Sequence, residues 1–328
     1  MNTRTLATAT AAALLLVSCS SSSPTAQVPT PSPTQTQAAS TIKVQVASYD
    51  LVAGEGSRVI VGLQTADNEL VTGGEVDLQF FFLGQDGQSD PQPGPIAKGE
   101  FLPVPGKEPS PVPATPTAGS ALDGVGVYQA TIRFDEPGRW GVAVGVDLDG
   151  TEVTGTGTLD VGAEHLVPSV GDAAISTVNP TIGADIPDAA IDSRAGVGDG
   201  GIPDPELHRD RIDEMLEQGR PMLIVFSTPV YCLSQFCGPV TDVVADLAAR
   251  YDDRAAFIHV EVWGDFEEKL GNAAASEWLL QPDGGFTEPW IFMVDAGGTI
   301  VGRWDNVPDL RQIETQLEAL PVDTGASS

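Results

Sequence analysis

Lysine is almost missing from this chain. Four lysines occur in 328 residues, and Lys plus Arg total 16 against 46 Asp plus Glu, a formal net charge of −30. Nucleic acids and anionic lipid head groups are both bound by cationic surface, so this balance argues against either as a partner. The acidity reads as a means of solubility or as adaptation to a salty medium. Long apolar runs are lacking too: past the first seventeen residues nothing approaches the roughly 20 apolar residues that a membrane-spanning helix needs. Cysteine is scarce, at three residues, Cys19, Cys232 and Cys237.

Residues 1–18 (MNTRTLATATAAALLLVS) carry one positive charge, at Arg4, and then an uncharged run from Leu6 to Val17. The run is too short for a hydrocarbon core of about 30 Å, so it reads as the core of a signal peptide. It closes on Leu16-Val17-Ser18-Cys19, which resembles the lipobox of bacterial lipoproteins. That resemblance implies cleavage before Cys19 and lipid on that cysteine. The lipid alone would then hold the protein to the extracytoplasmic face of the cell membrane. Residues 19–41 are rich in Ser, Pro, Thr and Gln and carry no charge, so they cannot bury enough surface to offset the entropy of ordering. They read as a flexible tether. With Cys19 used for lipid, Cys232 and Cys237 remain in an oxidising compartment and are expected to pair with each other.

The rest of the chain suits two domains by length. Over 42–161, Ile42 to Val46, Arg58 to Leu63, Val76 to Phe80, Val127 to Ile132, Trp140 to Val144 and Thr156 to Val161 mostly alternate apolar with polar or small residues between Gly, Asp and Pro turns. Period two with frequent turns predicts a β-sandwich, and the Pro-rich stretch 84–119 a long loop on its rim. The run Glu136-Pro137-Gly138-Arg139-Trp140 resembles a turn of small immunoglobulin-like periplasmic domains, which implies an immunoglobulin-like sandwich. This part carries no cluster that reads as a site, and binding or spacing are both open as its role. Residues 162–204, rich in Gly, Ala, Asp and Pro, read as a linker, and 322–328 as a tail.

Periodicity resumes over 205–321. A helix opened by Pro205 places Ile212, Met215 and Leu216 on one face and ends at Gly219. Met222 to Phe226 is an unbroken apolar strand, as a sheet covered on both faces requires. Val240, Val243, Val244, Leu247, Ala248 and Tyr251 share a helical stripe. Ala256 to Trp263 and Trp290 to Asp295 read as strands, with a helical stretch around Ala273 to Leu280 between them. Gly297-Gly298 turns the chain into a strand from Thr299 to Trp304, and a last helix follows from about Asp309 to Leu320. The early crossovers imply parallel pairing.

Between the first strand and its helix lies Phe226-Ser227-Thr228-Pro229-Val230-Tyr231-Cys232-Leu233-Ser234-Gln235-Phe236-Cys237-Gly238-Pro239. The junction puts Cys237 at a helix N-terminus, where unpaired N–H groups and the helix dipole favour the thiolate that attacks disulfides. An apolar strand, an aromatic residue, Cys237-Gly238-Pro239, an amphipathic helix and a later Pro289 before a strand together resemble the thioredoxin-like fold over about 205–321. The resemblance implies an attacking Cys237, Gly238-Pro239 as the middle of the active-site turn, and Pro289 as a cis-proline facing it. Val240 stands where the family places its resolving cysteine, so Cys232 takes that role. A loop of this length closes if it brings the Cα atoms within about 7 Å. Glu288, before the proline, would disfavour a thiolate at Cys237.

The fold expected is therefore two domains, an immunoglobulin-like sandwich followed by an α/β thioredoxin-like domain. The function expected is thiol–disulfide exchange on exported proteins or with a membrane redox partner, with Glu261 as proton acceptor. Two alternatives stay open: a binding or scaffold lipoprotein with a structural disulfide, and copper handling with His259 as a third ligand beside the thiolates. Peroxiredoxin chemistry, prompted by Pro229 and Ser234 to Cys237, misses its motif spacing by one residue. No cofactor or resident metal is expected.

Overall fold

The computed structural model describes residues 41–196, 200–232, 234 and 236–322. The signal peptide, Cys19, almost all of the tether and residues 323–328 of the tail lie outside the described residues.

Ten strands come first: β1 (Lys43–Val46), β2 (Leu51–Val52), β3 (Gly56–Gln64), β4 (Leu70–Thr72), β5 (Glu75–Phe82), β6 (Gln92–Pro103), β7 (Thr117–Gly119), β8 (Gly126–Arg133), β9 (Gly138–Leu148) and β10 (Thr151–Gly162). They hydrogen-bond into one continuous sheet in the order β2-β10-β9-β5-β6-β8-β3-β4-β7, with β1 added on β3. Most pairs are antiparallel, and β10 with β2 is parallel. The period-two pattern decides which side chains point inward: in β5, Val76, Leu78 and Phe80 are buried between exposed Glu75 and Asp77. Phe134 stands at the centre of the core, its ring 5.5 Å from Phe80 and 5.0 Å from Trp140. The sheet curls on itself where Ile42 N donates to Thr154 O at 3.0 Å, which brings β1 onto β10. A Cβ at Gly155 would sit 2.3 Å from Ile42 O, so that approach requires glycine.

The second sheet is built from α1 (Ile212–Gln218), β11 (Met222–Ser227), α2 (Cys237–Tyr251), β12 (Ala256–Glu261), α3 (Ala273–Leu279), β15 (Trp290–Val294), β16 (Ile300–Asp305) and α4 (Leu310–Ala319). A short hairpin, β13 (Trp263–Asp265) with β14 (Leu270–Gly271), leaves β12 on the way to α3. The order is β12-β11-β15-β16, with β11 parallel to β12 and the other neighbours antiparallel. Every residue of β11 and β12 is buried, because both faces are covered. Met222, Ile224 and Phe226 pack with Ile212 of α1 and Trp278 of α3. Leu223 and Val225 pack on the other face with Val244 of α2 and Ile313 of α4. α1 stops at Gly219, whose φ of 64° and N–H bond to Leu216 O end the helix in the left-handed conformation.

The expected fold of two domains, an immunoglobulin-like sandwich and a thioredoxin-like α/β domain, is corrected by these observations. Ala39–Ser328 form one compact unit, mostly β, with four α-helices among the described residues and a single mixed sheet of ten strands as the largest element. Period two tells a strand which face is buried, but it does not tell it whether its partner belongs to the same sheet or a facing one. The linker expected over 162–204 is also corrected, because its described residues are packed into the molecule. Gly171 N donates to Ile300 O at 2.9 Å and Ile300 N to Asp172 O at 2.9 Å, along the edge of β16. Asn179 Oδ1 accepts from Ile212 N at 2.8 Å, and Thr177 Oγ1 accepts from the Trp278 indole at 3.2 Å. Asp192 and Ser193 are buried.

The two sheets share polar contacts as well. Arg58 of β3 donates to Asp305 Oδ1 at 3.1 Å and to the carbonyl of Val307, and Tyr49 N donates to Asp305 Oδ2 at 2.8 Å. Asp309 caps α4, accepting from Arg311 N at 3.1 Å, and its other oxygen takes Gln129 Nε2 of β8 at 2.7 Å. Asp309→Ala therefore loses a cap and a bond between the sheets. It is expected to lower unfolding stability by about 1–2 kcal/mol, read from urea denaturation. A loss of less than a few tenths would show that neither bond matters.

Candidate functional site

The end of β11 hands the chain to a loop that returns as α2. Cys232 and Cys237 are joined in this loop by a disulfide, with Cα atoms 6.0 Å apart. Cys237 opens α2 with Gly238 and Pro239 in its first turn. Thr241 ties that turn down, donating to Cys237 O at 2.9 Å and meeting Ser227 Oγ at 2.6 Å. Cys237, expected to be the attacking sulfur, is 0 % exposed and out of reach of a partner. Cys232 is half-buried, and its Sγ lies 3.2 Å from the Ser234 hydroxyl. Tyr231 stacks face to face on Phe266 of the hairpin region, centroids 4.0 Å apart. Ser234 and Phe236 line a groove of about 550 Å³ together with Val104, Lys107, Leu122 and Val125 of the ten-stranded part. Leu122 is 98 % exposed.

The Glu288–Pro289 peptide is cis. Its loop is pinned from both sides: Tyr49 Oη lies 2.9 Å from Glu288 O and 2.8 Å from Asn306 Oδ1, and Asn306 N donates to Pro289 O at 3.0 Å. A carboxyl oxygen of Glu288 and the two sulfurs lie within 4.8 Å of one another. Burial, then the neighbouring Glu261 carboxyl, push the Glu288 pKa up to about 8. Oε2 of Glu288 has no hydrogen-bond partner among the described residues. This is a carboxyl whose pKa is raised by burial, set beside a disulfide.

No family model and no curated protein matches this chain.

Glu261, expected as the proton acceptor, ends β12 with both oxygens engaged. Oε2 accepts from Ser193 N at 2.8 Å and Oε1 from Trp263 N at 3.3 Å. Burial raises its pKa to about 7 against the pull of those bonds. His259 is brought to Asp192 and His208, while the ligand-type group at the sulfurs is completed by Glu288. Burial and the neighbouring His208 push the His259 pKa down to about 3. Asp192 is held well below the usual carboxylate range: burial opposes this, but hydrogen bonds from His208 and Arg194 outweigh it. Asp192, Ser193, Arg194, His208 and Tyr49 carried no signal in the sequence. They stand in loops or short turns, where neither period nor motif marks them.

Proposed function

We propose that this protein exchanges disulfides with dithiols of exported proteins, and that Cys232 is the sulfur through which it does so. The observation that carries the reading is the Glu288 carboxyl, its pKa pushed up by burial, within 4.8 Å of both sulfurs. A partner thiolate attacks the Sγ of half-buried Cys232, forming a mixed disulfide as the Cys232–Cys237 bond breaks. Cys237 leaves as a thiolate in a dry site and takes the Glu288 proton. The partner's second thiol, deprotonated by the Glu288 carboxylate, then attacks its own sulfur in the mixed disulfide and releases Cys232 as a thiolate, which takes up a proton from water. Two electrons and two protons have moved from the partner dithiol to the protein, and the partner carries the new disulfide. The roles expected of the two cysteines are thus exchanged, Cys232 facing the partner and Cys237 leaving. The groove lined by Ser234, whose hydroxyl lies 3.2 Å from Cys232 Sγ, would be the surface that a partner chain follows toward Cys232. The resemblance to thioredoxin-like proteins stands as part of this proposal, on Cys237-Gly238-Pro239 and Pro289 alone. Lipid at Cys19 and a place on the extracytoplasmic face belong to it too, since exported dithiols are met there. No described helix is long and apolar enough to cross a membrane.

One observation favours a second reading. A sulfur with no exposure, as in Cys237, suits a disulfide that only staples the loop to α2. Equilibration against glutathione separates the two. An exchanging pair is expected above about −300 mV, with Cys232 alkylated well before Cys237 after mild reduction. A potential below that value, with both thiols modified only on unfolding, would establish the staple.

A further inference from the structure

Two of the chain's three histidines meet at one buried aspartate, away from the sulfurs. Asp192 Oδ2 lies 3.3 Å from His208 Nε2 and 3.6 Å from His259 Nδ1, and all three side chains are fully buried. His259 arrives from β12, His208 from the turn before α1, and Asp192 from the segment that packs over the end of β12. The ligand-type atoms of the three residues lie within 4.8 Å of one another.

The hydrogen bonds fix the ring of His259. Its Nε2 lies 3.2 Å from the carbonyl of Ser227, which only accepts, so Nε2 carries the proton. In the neutral ring Nδ1 is then a bare lone pair, and it faces a carboxylate oxygen. It has no partner among the described residues. Two acceptors face each other in a dry site, an arrangement that a cation between them relieves. A ring nitrogen donating to a backbone carbonyl while the other is free is also how metal-binding histidines are oriented.

Charge and size agree. Arg194 holds Asp192 through Nε to Oδ1 at 3.1 Å and Nη2 to Oδ2 at 2.7 Å. Its charge is met again by Asp204 at 2.8 Å and Asp242 at 3.0 Å. Three carboxylates around one guanidinium leave two negative charges for a divalent ion. Tetrahedral bonds of about 2.0–2.1 Å put neighbouring ligand atoms roughly 3.4 Å apart, close to the 3.3 and 3.6 Å from Asp192 Oδ2 to the two histidines, and binding moves the His208 proton that bonds Asp192 in the metal-free protein from Nε2 to the unpartnered Nδ1. We propose that Asp192, His208 and His259 form a binding site for a borderline divalent cation such as Zn²⁺, which pins the 188–196 segment to β12. Two nitrogens and one oxygen suit that class of ion better than Ca²⁺ or Mg²⁺.

The test uses the full chain, kept oxidised so that the cysteines cannot bind. Metal-stripped protein is titrated with Co²⁺ and with Zn²⁺ by calorimetry and visible absorption. One ion per chain is expected, with the d–d bands of tetrahedral nitrogen and oxygen ligation. His259→Gln and His208→Gln are each expected to weaken binding by at least about a hundredfold. Cys232→Ser with Cys237→Ser should leave it unchanged, which separates this site from the disulfide. Far-UV circular dichroism in chelator shows whether each variant is folded, and the wild-type stoichiometry and spectrum do not depend on any variant. Failure of the wild type to take up one equivalent overturns the proposal. So does binding that survives both histidine changes, or that is lost only with the cysteines.

Discussion

Glu288→Gln is expected to slow reduction of the disulfide by a small dithiol about a hundredfold at pH 7. The cause is the loss of an acid set to protonate a leaving thiolate where water cannot reach it. Burial pushes the Glu288 pKa up to about 8, so the difference between the proteins should shrink as pH rises through that value, to roughly fourfold by about pH 9.5. The same group predicts a stability effect of defined sign. Its folded pKa is raised from 4.5 to about 8, so its contribution is fully present below about pH 4.5 and is lost as pH climbs through 8. Glutamine does not ionise and is spared that loss. The variant should therefore gain on the wild type across this window, by on the order of 3–4 kcal/mol at pH 9 after allowing for solvent screening of the partly exposed carboxyl. Rates measured from pH 6 to 9.5 with parallel urea curves test both. Parallel pH–rate profiles for the two proteins would remove Glu288 from the chemistry, whatever the stability curves do.

Arg58→Met is expected to lower global stability by about 3–5 kcal/mol at pH 7, because it strips the cation from a buried carboxylate. Asp305 would keep its bond from Tyr49 N at 2.8 Å and the field of Arg303, but lose the Arg58 bond at 3.1 Å. Burial already pushes the Asp305 pKa up against the pull of Arg58, and the variant pushes it further. A raised carboxylate pKa favours folding at low pH and costs stability as pH rises through the folded value. The deficit should thus be smaller at pH 4 than at pH 7. Arg58 lies in the ten-stranded sheet and Asp305 at the end of β16, so the change also tests whether the sheets unfold together. Trp140 reports on the first sheet, and Trp278, Trp290 and Trp304 on the second. Fluorescence and circular dichroism should give one shared transition, moved to lower urea in the variant. Two separated transitions, or a loss under about 1 kcal/mol, would contradict the single unit.

Much of the local structure is legible in the residues. Met222 to Phe226 is apolar throughout because both faces of β11 are covered, and Gly219 ends α1 because the cap needs a positive φ. The pairing of Cys232 with Cys237 also follows from the residues, once Cys19 is set aside. What the residues do not carry is the arrangement between elements. Alternation in β5 or β9 is the same whether the strands form two facing sheets or one curled sheet, since it records only inside and outside. A Gly- and Pro-rich stretch looks like a linker until Asn179, Asp192 and Ser193 find partners far along the chain.

The site divides along the same line. The residue types, two cysteines at a helix start and a glutamate before Pro289, are a property of the sequence alone. Which sulfur meets solvent, and whether that glutamate is charged, were decided by packing. Exposure and pKa are set by the atoms that surround a group in space, and those atoms come from β11, β12, β15 and the segment near Ser193 together.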